Sequence, residues 1–204
     1  MLRLRIPHRR AVSLLRDAQG AAVLEFAISL PLLVVFIVGI YDFSGAFNQK
    51  QKIEQAAQEG AIVAGAQPMS DIETTTSSPD SLQPVVTAIF NSLAGSGVLP
   101  NANQGTCKIS TPPGWVPAPP AGLTWTFTMS GCTGAYPGDN LIIAINRGTV
   151  VTPASPTPAI VGTNVQVQYP YHWRFNSVIQ LLIPGASYAA TTQVTESATV
   201  HNQM

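Results

Sequence analysis

Beyond Lys52 the sequence holds only three basic residues, Lys108, Arg147 and Arg174. A surface that tracks phosphates needs several neutralising contacts, so nucleic acid is excluded as a partner. Cysteine is as scarce: Cys107 and Cys132 are the only two, at a spacing unlike a Cys-x-x-Cys redox pair or a metal site. Histidine occurs three times, at His8, His172 and His201, each standing alone. His172, beside Trp173 and Arg174, reads as a surface feature at a strand end. Asp71, Glu73, Asp80, Asp139 and Glu196, with Glu54 and Glu59 on the helix, form no recognisable pair. There is no His-Glu-x-x-His, no Gly-x-Ser-x-Gly, no phosphate-binding loop and no dinucleotide fingerprint. An enzyme reading fails for want of parts. No cofactor, metal or small-molecule substrate is expected.

Charge is most nearly absent from Ala21 to Ile40, twenty residues in which Glu25 is the only charged one. At 1.5 Å of rise per residue this stretch spans about 30 Å, the hydrocarbon thickness of a bilayer. Membrane lipid is therefore its expected surrounding, with a transmembrane helix over residues 21–43. A carboxylate there costs on the order of 2–3 kcal/mol at mid-depth and less near the interface, so it needs a partner or a purpose. Five of the ten basic residues (Arg3, Arg5, Arg9, Arg10 and Arg16) precede the span, against one acid, Asp17. The positive-inside rule keeps this leader, residues 1–20, in the cytoplasm and sends the chain after the span outside. Exported cysteines meet an oxidising compartment, where a Cys107–Cys132 disulfide persists; two buried thiols are the alternative. An ordinary secretory signal cut near Ser44-Gly45-Ala46 is a second possibility, but the apolar run exceeds the 7–15 residues of a signal core.

A basic leader, then Gly20, four mostly apolar residues, Glu25 and an aromatic, Phe26, resemble the processing site of type IV prepilin-like proteins. Further along stand Leu30-Pro31-Leu32-Leu33, Gly39-Ile40-Tyr41-Asp42-Phe43 and Ala56-Ala57-Gln58-Glu59-Gly60-Ala61. Val165 to Tyr171 and Ala198-Thr199-Val200 complete the likeness. Together these resemble the TadE-like minor pseudopilins of the tight-adherence (Flp pilus) branch, in which Tyr is commoner than Phe at position 26. The resemblance implies a cut between Gly20 and Ala21 by a prepilin peptidase, which reads Glu25 and Phe26. After the cut, Glu25 would neutralise the new ammonium of Ala21 in the same or a neighbouring copy. A bland alternative is an interfacial Glu favoured by the start of a helix. The resemblance further implies a bacterial inner-membrane protein whose partners are pilin-like or Tad assembly subunits.

The helix need not stop at the membrane. Residues 44–66 lack Pro and are rich in Ala, Gln, Glu and Lys. Ile53, Ala56, Ala57, Gly60, Ala61 and Ala64 share one face as an amphipathic continuation, and Gln67-Pro68 ends it. This gives one helix of about 45 residues from near Gly20, by count of the helical pattern. Its small stripe invites close packing, against a partner at least in part and against its own sheet for the rest. Pro31 within the span predicts a tolerated kink.

Residues 67–204 read as an exported α+β domain. A second helix carries Leu82, Val85, Val86, Ile89, Phe90 and Leu93 on one face, with Ser81 as N-cap, Pro84 in the first turn and Gly95 as the C-cap glycine. Strands are expected over Thr124–Ser130, Leu141–Asn146, Thr163–Tyr171 and Ala189–His201, in an antiparallel sheet. Residues 176–183 are an apolar stretch suited to a short helix or a loop on the sheet. Helix first and sheet after is the pilin-like layout. A competing function is a signal-anchored exported binding module, not processed, with Trp115, Trp125 and Tyr136 as ligand contacts.

Overall fold

A computed structural model describes residues 11–72, 79–101, 104–107, 123–132, 140–151, 160–175, 180, 185 and 191–203. Helix α1 runs Ala11–Ala66 without a break, through Pro31. It begins nine residues earlier than the sequence pattern placed it. Ala11 to Gln19 contains no Pro or Gly, so nothing stops the helix until the residues before it. At the other end it stops two residues short of Pro68, as that proline requires.

The chain forms two compact units, residues 1–44 with 174–188, and residues 45–173 with 189–204. In the first, α1 presents Val23, Leu24, Phe26, Ile28, Leu32, Leu33, Phe36 and Ile37 outward. The Ser29 hydroxyl donates to the Glu25 carbonyl at 2.7 Å, so its polarity is absorbed by the helix itself.

The second unit is a two-layer α+β domain. Strands β1 (Thr124–Ser130), β2 (Asn140–Val151), β3 (Ile160–His172) and β4 (Thr191–His201) pair in sequence order as an antiparallel meander. Alternation sets the faces. Trp125, Phe127 and Met129 of β1, Leu141, Ile143 and Ile145 of β2, and Val165, Val167 and Tyr169 of β3 are buried on one side. Onto that side pack the end of α1 and helix α2 (Leu82–Gly95), the latter through Leu82, Val85, Val86, Ile89 and Leu93. Trp125 is therefore a core residue and not a ligand contact, while Trp115 and Tyr136 lie outside the described residues, as does most of 176–183.

Both caps of α2 differ from expectation. Ser81 has helical dihedrals, its hydroxyl is buried with no partner, and its backbone N–H donates to Asp71 Oδ2 at 2.7 Å. Asp71, ten residues upstream, thus accepts from the N–H of the residue that precedes the helix, and the Ser81 hydroxyl caps nothing. At the far end the left-handed residue is Gly97, φ 72°, not Gly95. Val98 N–H reaches the Leu93 carbonyl at 3.0 Å and Gly97 N–H reaches that of Ala94 at 3.1 Å, the two bonds of a Schellman motif.

Candidate functional site

Three features of the chain bear on function, and the first is the outward half of α1. From Gly20 to Ala66 it is the one helix, among the described residues, long and apolar enough to cross a membrane, and its most apolar stretch is not buried. Gly20, Ala21, Glu25 and Phe26 are all exposed on it. Ala21 and Glu25 stand four residues apart, hence on one face a turn from each other. A Cβ added at Gly20 would meet nothing within 4 Å. Packing in this chain gives no reason for glycine at that position. Pro31 is half-buried and Ile40 is 71% exposed.

The second feature is the small-residue stripe. Ile53, Ala56, Ala57, Ala61 and Ala64 are fully covered, and Gly60 is buried too. The covering groups belong to the same domain: a Cβ on Gly60 would collide with Ile89 of α2 and lie 3.5 Å from Val165 of β3. One on Gly65 would come within 3.0 Å of Val200 and the His201 carbonyl. The expectation that part of this stripe faces a partner is thus corrected. Small side chains here let α1 sit close on its own sheet, and the side is used up.

Sequence reasoning missed the group that holds the end of α1. Arg147 on β2 has no exposed surface. Its Nη1 donates to the Ala64 carbonyl at 2.7 Å and its Nη2 to that of Gln67 at 2.8 Å, with longer contacts to the Pro68 carbonyl and the Met69 sulfur. A helix leaves its last carbonyls without donors and carries partial negative charge there, so a fork of N–H groups is the complementary partner. Burial pushes the Arg147 pKa below its usual value, and the nearby Asp71 carboxylate works against that shift. The register of β2 and β3 shifts at Arg147 itself, between Asn146 and Thr149. The one sequence signal was the oddity of a lone arginine in a chain segment almost without basic residues. A further ion pair, Lys50 to Glu196 at 3.4 Å, joins α1 to β4; half-exposed, it contributes less than about 1 kcal/mol.

The third feature is covalent. Cys107 and Cys132 form a disulfide with their Cα atoms 4.4 Å apart. Closing a loop of that length stabilises by about 3 kcal/mol in the chain-entropy model. Thiol labelling after denaturation without reductant is expected to modify neither cysteine; labelling of both would show that the bridge does not form.

Such an arrangement defines a class: an α+β protein hung on a long N-terminal helix whose first half is apolar on all sides and whose second half is built into a sheet domain. Residues 20–61 match the family described as TadE-like protein, a similarity confined to this helix. No curated protein and no solved structure matches it. The match and the apolar helix fit a Tad-type pilus-associated membrane protein, of a family that is typically non-catalytic.

Proposed function

We propose that this chain is a minor pseudopilin or assembly protein of a Flp-type, tight-adherence pilus system, non-catalytic and anchored by one span. Its leader lies in the cytoplasm and its sheet domain outside the inner membrane. A prepilin peptidase matures it between Gly20 and Ala21, and its further partners are pilin-like or Tad assembly subunits. The observation that carries this reading is the family match, which begins at Gly20 and covers the whole apolar run.

The structure supports it in two ways. Gly20 lies within α1, and glycine in a helix interior is less stable than alanine by about 1 kcal/mol. The helix is therefore weakened at the point where a peptidase must reach the backbone. Because the small-residue stripe is already covered, the surface left for subunit packing is the apolar half. Removing residues 1–20 takes away the five leader arginines that hold the helix across the bilayer. Glu25 then supplies a counter-charge for an Ala21 ammonium in a setting where an unpaired charge is costly.

Intact mass of the membrane-extracted protein, co-expressed with its peptidase, is the test. Wild type is expected to lose residues 1–20, whereas Gly20→Leu keeps full length and, with open space around position 20, folds normally. Glu25→Ala is expected to weaken co-purification with partner subunits more than membrane insertion. A wild-type protein that keeps full mass beside an active peptidase, or is cut near Ala46, refutes the processing claim.

A further inference from the structure

The four-strand sheet ends in two edges, β1 and β4, and both are open among the described residues. The phase of each ladder fixes which backbone groups are spare. Arg147 N–H donates to the Leu123 carbonyl at 2.8 Å, so the odd-numbered residues of β1 bond to β2. Thr124, Thr126, Thr128 and Ser130 turn their N–H and C=O groups the other way. Asn202 N–H donates to the Val161 carbonyl at 3.2 Å, so the even-numbered residues of β4 bond to β3. The spare groups there belong to Thr191, Gln193, Thr195, Ser197 and Thr199, all exposed. Proteins blunt such edges with proline, lysine or a bulge. Neither strand contains a proline or a lysine, and both ladders run without a register shift. The one carboxylate on them, Glu196, is paired with Lys50 of α1.

Direction decides what can lie on these edges. β4 runs alongside the second half of α1 and the same way. A Cβ on Gly45 would stand 2.8 Å from the hydroxyl of Tyr171, the partner of Thr192, and one on Gly65 would stand 3.0 Å from Val200. Pairing β4 with β4 of a second copy about a two-fold axis would turn these two helix segments opposite ways. Two copies anchored in one bilayer cannot do that. β1, however, is antiparallel to β4, because the meander reverses three times between them. Copies standing the same way up bring β1 of one against β4 of the next in antiparallel order. We propose that β4 pairs with β1 of a second copy of this chain, extending one sheet from subunit to subunit. This rests on the reading of α1 as a membrane anchor. The side chains agree: Thr, Ser and Gln meet on the outer face, where Thr–Thr and Thr–Ser pairs are favourable, and β1 brings no charge towards Glu196. Such a contact is heterologous, so it continues into a row or ring instead of stopping at a dimer.

Full-length Thr126→Cys/Ser197→Cys in alkali-washed membranes, treated with a short bismaleimide, tests this. The native disulfide keeps Cys107 and Cys132 from reacting. Thr126, Ala144, Gln166 and Ser197 lie in one row across the sheet. The two cysteines of one chain are therefore three strand spacings apart, about 14 Å, beyond a short linker. The double variant is expected to give a ladder of dimers, trimers and higher species. Co-expressed single variants should give dimers only, and either single variant alone none. Thr195→Pro removes an outward N–H without breaking a bond to β3, and is expected to abolish the ladder. Dimers from Ser197→Cys alone mean that β4 meets β4, and overturn the proposal. So do adducts to another membrane protein in place of the ladder, an absence of cross-links, or a ladder that survives the proline; all of these leave the anchor standing. Release of the chain by the alkaline wash overturns the anchor itself, and the proposal with it.

Discussion

Arg147→Ala is expected to lower the unfolding free energy by about 4 kcal/mol, since buried carbonyls stripped of a donor cost about 1–3 kcal/mol each and at least two are lost here. The two are Ala64 and Gln67, held at 2.7 and 2.8 Å. Arg147→Lys should recover less than half, because an ammonium on a flexible stem cannot hold two carbonyls in a fixed fork. Urea unfolding of the detergent-solubilised full chain, followed by the fluorescence of the buried Trp125, measures both. A loss below 1 kcal/mol for the alanine variant, on the order of one ordinary hydrogen bond, would mean that water replaces the guanidinium. The loss should also be flat across neutral pH. A lowered folded-state pKa makes the charged form costlier in the fold, and that cost holds at every pH below the folded pKa, so no neutral-range titration alters it.

Gly60→Val should cost about 2–3 kcal/mol by overpacking. Its new Cβ collides with Ile89 and lies 3.5 Å from Val165. Ile89→Ala alone removes buried aliphatic volume and costs about 2–5 kcal/mol. Combined, the two should cost less than their sum, by more than about 1 kcal/mol, because the space vacated by Ile89 receives the valine. Strict additivity in the same urea assay would show that α1 and α2 do not meet at this point.

The α+β layout, both helices and all four strands were legible because each leaves a period in the sequence. Thr124–Ser130 alternates so regularly that its bounds coincide with β1. What failed were features set by distant residues. Ser81 looks like a cap from its position, yet Asp71 supplies the acceptor from outside the helix. Gly95 and Gly97 are both candidates to end α2, and only the fold of the following turn selects Gly97. A stripe of alanines looks the same whether a partner or the protein's own sheet lies against it. Arg147 stood out only as a lone arginine, and nothing near it in sequence named its carbonyl partners, which stand about eighty positions earlier in the chain. The processing site proposed at Gly20, Ala21, Glu25 and Phe26 is of the opposite kind, because the residues that suggest it all lie within one short stretch of sequence.

The end of α1 is fastened not only by Arg147 but by the strand made last. Gln203 N–H donates to the Gly65 carbonyl at 2.9 Å, and Val200 and His201 close over Gly65. Helix and closing strand are thus among the most widely separated contacts in the chain. On the topology proposed above, α1 would emerge first and its covered face would wait, with nothing to lie on, until residues near 200 had crossed. A chain stalled in translocation would expose that alanine face to other subunits, so the rate at which the closing strand arrives sets how long the domain is open to mispairing.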